Sequence, residues 1–349
     1  MDELADRPIL AIDFGGTQIR AALITPDLSV HARRAIPTRD EDGVEAVVAR
    51  ICDLAAEVHE AAQAAGLAAP IAIGISAPGP LDPWRGIVVS PPNLAAWHDV
   101  PLAASVSEAL DLPAFLERDT NVAVLAEWRN GAARGGGTVV YITVSTGIGG
   151  GAIIDERPLI GPDGMAGEMG HIVVELDGPI CGCGGAGHVE AIASGTALAR
   201  EARALVDAGD SPRLRELAAN GSEIDAELLA RAADDGDAAA ASVEARAWTA
   251  VGALCASLTN VLNPDVIVIG GSIAEHRPHL LEVARREIAS RAFAVPASRV
   301  RVVPAALGDD VSLIGLLPIV NERIGDPAFA GGWHRPQTAA IAEQGALRP

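Results

Sequence analysis

A chain of 349 residues is too long for one comfortable core, so two domains are expected. About half of it is apolar and little of it aromatic, and 26 basic residues face 46 acidic ones for a net charge of −20. That balance speaks against nucleic acid as a partner, because phosphate neutralisation needs clustered Lys and Arg, and it leaves an anionic substrate to local backbone donors and a cation.

The N-terminal stretch "MDELADRPILAIDFGG" is acidic and has no apolar signal core. No apolar run reaches the roughly 18 residues of a membrane helix without Gly, Pro or charge. The four cysteines, Cys52, Cys181, Cys183 and Cys255, form no disulfide framework. A cytoplasmic protein with no membrane partner is expected.

Residues 9–24, "ILAIDFGGTQIRAALI", read as strand, Gly-Gly turn and strand. Glycines let a backbone approach phosphate closely and offer it N–H groups; Thr17 adds a hydroxyl, and Asp13 can hold hydrated Mg²⁺. The spacing and Ala content of residues 43–65 predict a helix. "IAIGISAPGP" reads as a buried strand running into a Pro/Gly loop, and residues 101–111 as a short helix. "AFLERDTNVAVLAEWRNG" is strand, polar break and helix stopped at Gly131. Its "RDTN" places Arg118, Asp119 and Asn121 at a strand end, where open α/β sheets keep their ligands. Asp119 there accepts a hydroxyl proton in phosphoryl transfer, or else Asp119 or Thr120 simply caps the following helix.

"TVVYITVSTGIGGGAII", residues 138–154, echoes the first hairpin, with "STGIGGG" as its turn. Two such hairpins predict a duplicated α/β domain whose Gly turns face a shared cleft. Neither turn is a P-loop or a dinucleotide fingerprint; as a pair they favour a split nucleotide-phosphate site. In "AGEMGHIVVE" a tight turn can point Glu168 and His171 the same way. Cys181, Cys183 and His188 follow in "CGCGGAGHVE". Two cysteines one residue apart are poorly placed for a disulfide, whereas four soft or borderline ligands on a Gly-rich backbone suit tetrahedral zinc. The alternative is buried thiols beside unrelated histidines. Residues 196–250 read as Ala-, Glu- and Arg-rich helices. "WTAVGALCASLTNVLNPDVIVIGGSIAE" reads as a long helix, an Asn-Pro stop, a parallel-type strand, and a helix opened by Gly270 and Gly271.

Taken in order, "DFGGTQIR", "SAPGPLD", "PPNLAAW", "RDTNVAVLAE", "STGIGGG", "GMAGEMGH", "CGCGGAGHVE" and "NPDVIVIGGSI" resemble the motif series of the ROK family (repressors, open reading frames and sugar kinases) over roughly residues 8–324. The resemblance implies two RNase-H-like, actin/hexokinase-like α/β domains around a central cleft. They are expected at 1–120, joined by a helix around 311–324, and at 121–310 with a zinc loop and a helical insert, followed by a flexible tail at 326–349. It implies an ATP-dependent kinase acting on a hexose hydroxyl, glucose first, with Asp119 as base. Sugar contacts fall on Asn93, Arg118, Glu168, His171 and Glu190. Nucleotide and phosphate contacts fall on Asp13, Gly15, Gly16, Thr17, Arg20, Thr146, Gly147, Gly270 and Gly271, with Mg²⁺. Structural Zn²⁺ falls on His171, Cys181, Cys183 and His188, and its loss is expected to harm sugar binding before nucleotide binding. A homodimer is implied by analogy.

Two positions depart from the family pattern: His188 replaces a usual cysteine and Arg118 a usual asparagine. Alternative readings are a non-catalytic sugar sensor, a sugar-responsive repressor, or a kinase for fructose, allose, N-acetylmannosamine or N-acetylglucosamine, with polyphosphate as another donor. A repressor would carry a helix-turn-helix ahead of Asp13.

Overall fold

The computed structural model describes residues 7–91, 94–219 and 221–329. Its contacts divide the chain into two compact units: the chain through Arg118 together with the chain from Leu316 onward, and Asp119–Gly315.

The first unit is built on β1 (Ile9–Phe14), β2 (Gln18–Ile24), β3 (Val30–Pro37), β4 (Ile73–Ala77), a two-residue ladder of β5 (Leu81–Asp82) with β6 (Ile87–Val88), and β7 (Ala114–Arg118). The main sheet runs β3-β2-β1-β4-β7. β1 and β4 are buried along their whole length. That is why they read as continuous apolar runs, the mark of strands covered on both faces. The helix Val44–Ala64 buries Val47, Ile51, Leu54, Ala55, Val58 and Ala62, one stripe at helical spacing. Gly74 lets the C-terminal helix Leu316–Arg323 lie directly on β4: a Cβ there would stand 2.8 Å from that of Leu316. Trp97 is fully buried against Phe14 at 4.6 Å between ring centroids, and its indole N–H reaches Asp40 Oδ1 at 3.0 Å.

The second unit carries the helix Asp119–Asn130, β8 (Val139–Val144), β9 (Ile148–Ile154), β10 (Arg157–Pro158), β11 (Val266–Gly270) and β12 (Arg301–Pro304). Its sheet runs β10-β9-β8-β11-β12. An antiparallel three-strand run continues into parallel strands, as in the first unit, with β8 and β9 in the places of β1 and β2. The long helix Ala238–Leu262 is started by Asp237, whose carboxylate accepts from the Ala239 and Ala240 amides, and stopped by left-handed Asn263. No helix among the described residues is long and apolar enough to cross a membrane.

β3 does not stand out in the sequence. It is an edge strand with no buried position, it carries Arg33 and Arg34, and it ends in Pro37. Such edges are kept polar to prevent further strand pairing, which erases the apolar pattern.

Candidate functional site

In the first unit the turn between β1 and β2 is closed by Gly15 N–H donating to the Gln18 carbonyl at 2.9 Å. Gly16 and Thr17 are exposed on it. Asp13 and Arg20 face each other across the hairpin register, and Arg20 Nε and Nη2 donate to Asp13 Oδ2 at 3.0 and 2.6 Å. Thr38, fully buried, braces the turn from β3: its hydroxyl donates to the Gly15 carbonyl at 2.6 Å and its amide to the Thr17 carbonyl at 2.9 Å. Asn93 lies outside the described residues.

Arg118 ends β7 and is buried. Its amide donates to Glu117 Oε1 at 2.8 Å, and Glu117, also buried, is ion-paired with Arg323 of the C-terminal helix. Asp119 opens the next helix half-buried, and its Oδ1 accepts from the Thr120 amide at 2.7 Å. Both sequence readings of Asp119 are therefore compatible with its place: it touches the helix start and stands at a strand end.

The second Gly turn, Ser145–Gly147, is closed by the Ser145 amide on the Gly147 carbonyl at 3.0 Å. Two segments gather on it. Gly195 N–H donates to the Ser145 carbonyl at 2.8 Å, and Thr196 Oγ1 to the Thr146 carbonyl at 3.0 Å. Ser145 Oγ lies 2.9 Å from Ser272 Oγ, next to Gly270 and Gly271. The glycines that follow the turn serve packing. A Cβ on Gly151 would lie 2.6 Å from the Thr120 carbonyl oxygen, so β9 and the helix carrying Asp119 touch backbone to backbone.

Beyond β10 the chain makes a short 3-10 turn, Met169–His171, with Glu168 Oε2 3.9 Å from His171 Nε2. The segment that follows folds back on itself. Val173 bridges to His188 and Ile180 to Ala186; the Cys181 amide donates to the Gly185 carbonyl at 2.7 Å and the Gly184 amide to the Cys181 carbonyl at 2.9 Å. His171, Cys181, Cys183 and His188 thereby converge, one ligand atom from each lying within 4.8 Å of the others. Cys181 Sγ is 3.7 Å from His171 Nδ1, and Cys183 Sγ is 3.3 Å from His188 Nδ1. Zinc bonds of about 2.3 Å to sulfur and 2.1 Å to nitrogen imply neighbouring ligand atoms roughly 3.5 Å apart in a tetrahedron, so the four side chains fit that ion. Burial pushes the Cys181 thiol up to about 11, with Cys183 and Glu190 adding to the rise, and a cation is what would hold it as thiolate. Glu190 completes the group: Oε1 is 3.6 Å from Cys181 Sγ, and Oε2 accepts from the Ile148 amide at 3.0 Å.

Within each unit the sequence-derived site residues are thus drawn together. Asp13, Gly15, Thr17 and Arg20 meet in the first; the Ser145–Gly147 turn, Gly271, Glu190 and the Cys/His cluster meet in the second. Thr38, Ser272 and Gly195 escaped the sequence reading. Only Gly195 had a signal, since Ser194-Gly195 ahead of "TALAR" is a helix start, and Ser194 indeed accepts from the Ala197 amide.

The chain is 34% identical over 317 residues to a glucokinase of Thermotoga maritima, covering 91% of this chain and 98% of that one. It is 34% identical over 265 residues to an N-acetylmannosamine kinase of Escherichia coli O157:H7, covering 76% and 82%. Its structure matches that of a ROK family glucokinase from Streptomyces griseus in complex with glucose and AMPPNP, with a TM-score of 0.76 at 31% identity, covering 90% of this chain and 99% of that one. The fold is accordingly actin/hexokinase-like. The ROK family model matches residues 9–323, nearly the whole described span, and with the ordered motifs now in place on two like sheets, the chain belongs to the ROK family.

Proposed function

We propose that the protein is an ATP-dependent sugar kinase that phosphorylates a hexose hydroxyl, with glucose the preferred acceptor. The observation that carries this reading is similarity to a glucokinase over 91% of this chain and 98% of that one, in a chain that keeps Glu168 beside His171, Cys181 beside both His171 and Glu190, and Asp119 at a strand end. Asp119 takes the proton of the attacking hydroxyl, as a positioned carboxylate does in phosphoryl transfer generally. The amides of Gly16, Thr17, Thr146 and Gly147 hold phosphate oxygens, and Asp13, steadied by Arg20, would hold hydrated Mg²⁺. Glu168, His171, Glu190, Arg118 and Asn93 receive the sugar hydroxyls. His171, Cys181, Cys183 and His188 would hold zinc, which supplies a structural tie with no open coordination position. We assign the two domains to 1–120 with the helix around 311–324 and to 121–310, and a homodimer in the cytoplasm.

ADP release coupled to a reporter, measured with glucose, fructose, allose, N-acetylmannosamine and N-acetylglucosamine, tests this reading. Glucose should give the highest kcat/KM with ATP. N-acetylmannosamine in first place would favour the second reading, which rests on the similarity to N-acetylmannosamine kinases. Sugar binding with neither ADP released from ATP nor sugar phosphate formed from polyphosphate, for every acceptor, would replace the kinase by a sensor.

A further inference from the structure

Glu190 touches two places that the proposed function treats separately. Oε2 accepts from the amide of Ile148, the first residue of β9, paired with Val144 across the turn. A Cβ on Gly147 would stand 2.9 Å from that same oxygen, so no side chain separates the carboxylate from the turn backbone. Oε1 lies 3.6 Å from the sulfur of Cys181. The main chain of Glu190 is placed by the same loop: it follows His188 by two residues, the Val189 amide donates to the Ile172 carbonyl at 3.1 Å, and the Ala191 amide to the His188 carbonyl at 3.0 Å.

We infer that Glu190 is a positioning residue that couples the Cys/His cluster to the phosphate turn, so that loading of the cluster orders Ser145–Ile148. Resting on the kinase reading, this makes nucleotide affinity depend directly on the metal, against the expectation that its loss harms sugar binding before nucleotide binding. Gly182, Gly184, Gly185 and Gly187 leave the intervening backbone little intrinsic order, and fixing a glycine costs more entropy than fixing any other residue. Ligation of the four side chains opposes that cost. When it is withdrawn, the loop frays, Glu190 leaves Ile148, and a partly buried amide loses its acceptor. A second tether, Gly195 N–H to the Ser145 carbonyl, does not pass through the loop and remains.

Hydrogen exchange on the full chain without nucleotide, zinc-loaded and chelator-stripped, reads the coupling without assuming any activity. Stripping should speed exchange at residues 145–148 several-fold in the unmodified protein. Glu190→Gln, which keeps an acceptor for the Ile148 amide, should behave likewise. Glu190→Ala should exchange fast in both states, with no dependence on zinc. Binding of AMPPNP should follow the same pattern, weakened several-fold by stripping except in Glu190→Ala. Unchanged protection of residues 145–148 on stripping, equal zinc dependence in Glu190→Ala, or failure to take up zinc would each overturn the inference. Coupled exchange with no AMPPNP binding in either state would uphold the coupling and remove the ATP reading instead.

Discussion

Asp119 stands where β7 hands over to a helix, half-buried, and its Oδ1 accepts a short bond from the Thr120 amide. An asparagine there keeps the shape and the acceptor for that amide but takes up no proton from a hydroxyl. Asp119→Asn is therefore expected to lower kcat by about 10²–10⁴-fold with the sugar Kd little changed. Steady-state rates beside calorimetric sugar binding check it; more than a tenth of the original kcat would remove Asp119 as base. Its neighbour Arg118 departs from the family pattern, and its burial at 3% exposure means that this long cation is packed in the protein and not splayed into water.

At the scale of the element, the loop from Ile172 to Glu190 depends on its backbone more than on its side chains. Gly187 has φ +70°, and a Cβ there would lie 1.6 Å from the Glu175 carbonyl oxygen. Gly187→Ala thus meets both the left-handed penalty of about 1–2 kcal/mol and a main-chain clash. It should cost the protein its zinc and move the global Tm less, because Leu176 and Ile180 in the middle of the loop are exposed while its ends at Ile172 and Val189 are anchored on the core. Metal content by elemental analysis and a thermal melt decide this, and retention of stoichiometric zinc would count against it. For comparison, His188→Cys should retain the metal, as thiolate suits the same tetrahedral position, and His188→Ala should release it.

Across the whole molecule, one long-range tie in the first unit is the pair of Glu117 with Arg323, 206 residues apart and both almost without exposure. Arg323 also donates to the Leu116 carbonyl at 2.8 Å, so it joins the C-terminal helix to the end of β7 next to Asp119. Arg323→Met would leave a buried carboxylate without its cation, a loss of about 3–5 kcal/mol, which for a chain of this size lowers Tm by roughly 5–15 °C. The double variant Glu117→Leu/Arg323→Met should regain only part of this, because Glu117 also accepts from the Arg118 amide. Differential scanning calorimetry of the three proteins tests the prediction. Equal melting of Arg323→Met and the unmodified protein would show the pair to be dispensable.

The chain by itself determined the α/β alternation, the two Gly-turn hairpins, the strand end bearing Asp119 and the four-ligand run from His171 to His188. All of these are local: apolar periodicity and ligand spacing are properties of neighbouring residues, and the Gly-rich loop can close within its own length. Only the tertiary structure decided that Thr38 braces Gly15, that Arg323 neutralises Glu117, and that Glu190 reaches back 42 residues to the Ile148 amide. It also decided that Gly151 lets β9 touch the helix carrying Asp119. These pairings depend on which strands lie side by side and how closely a helix approaches a sheet, and nothing in the composition of either partner records that distance.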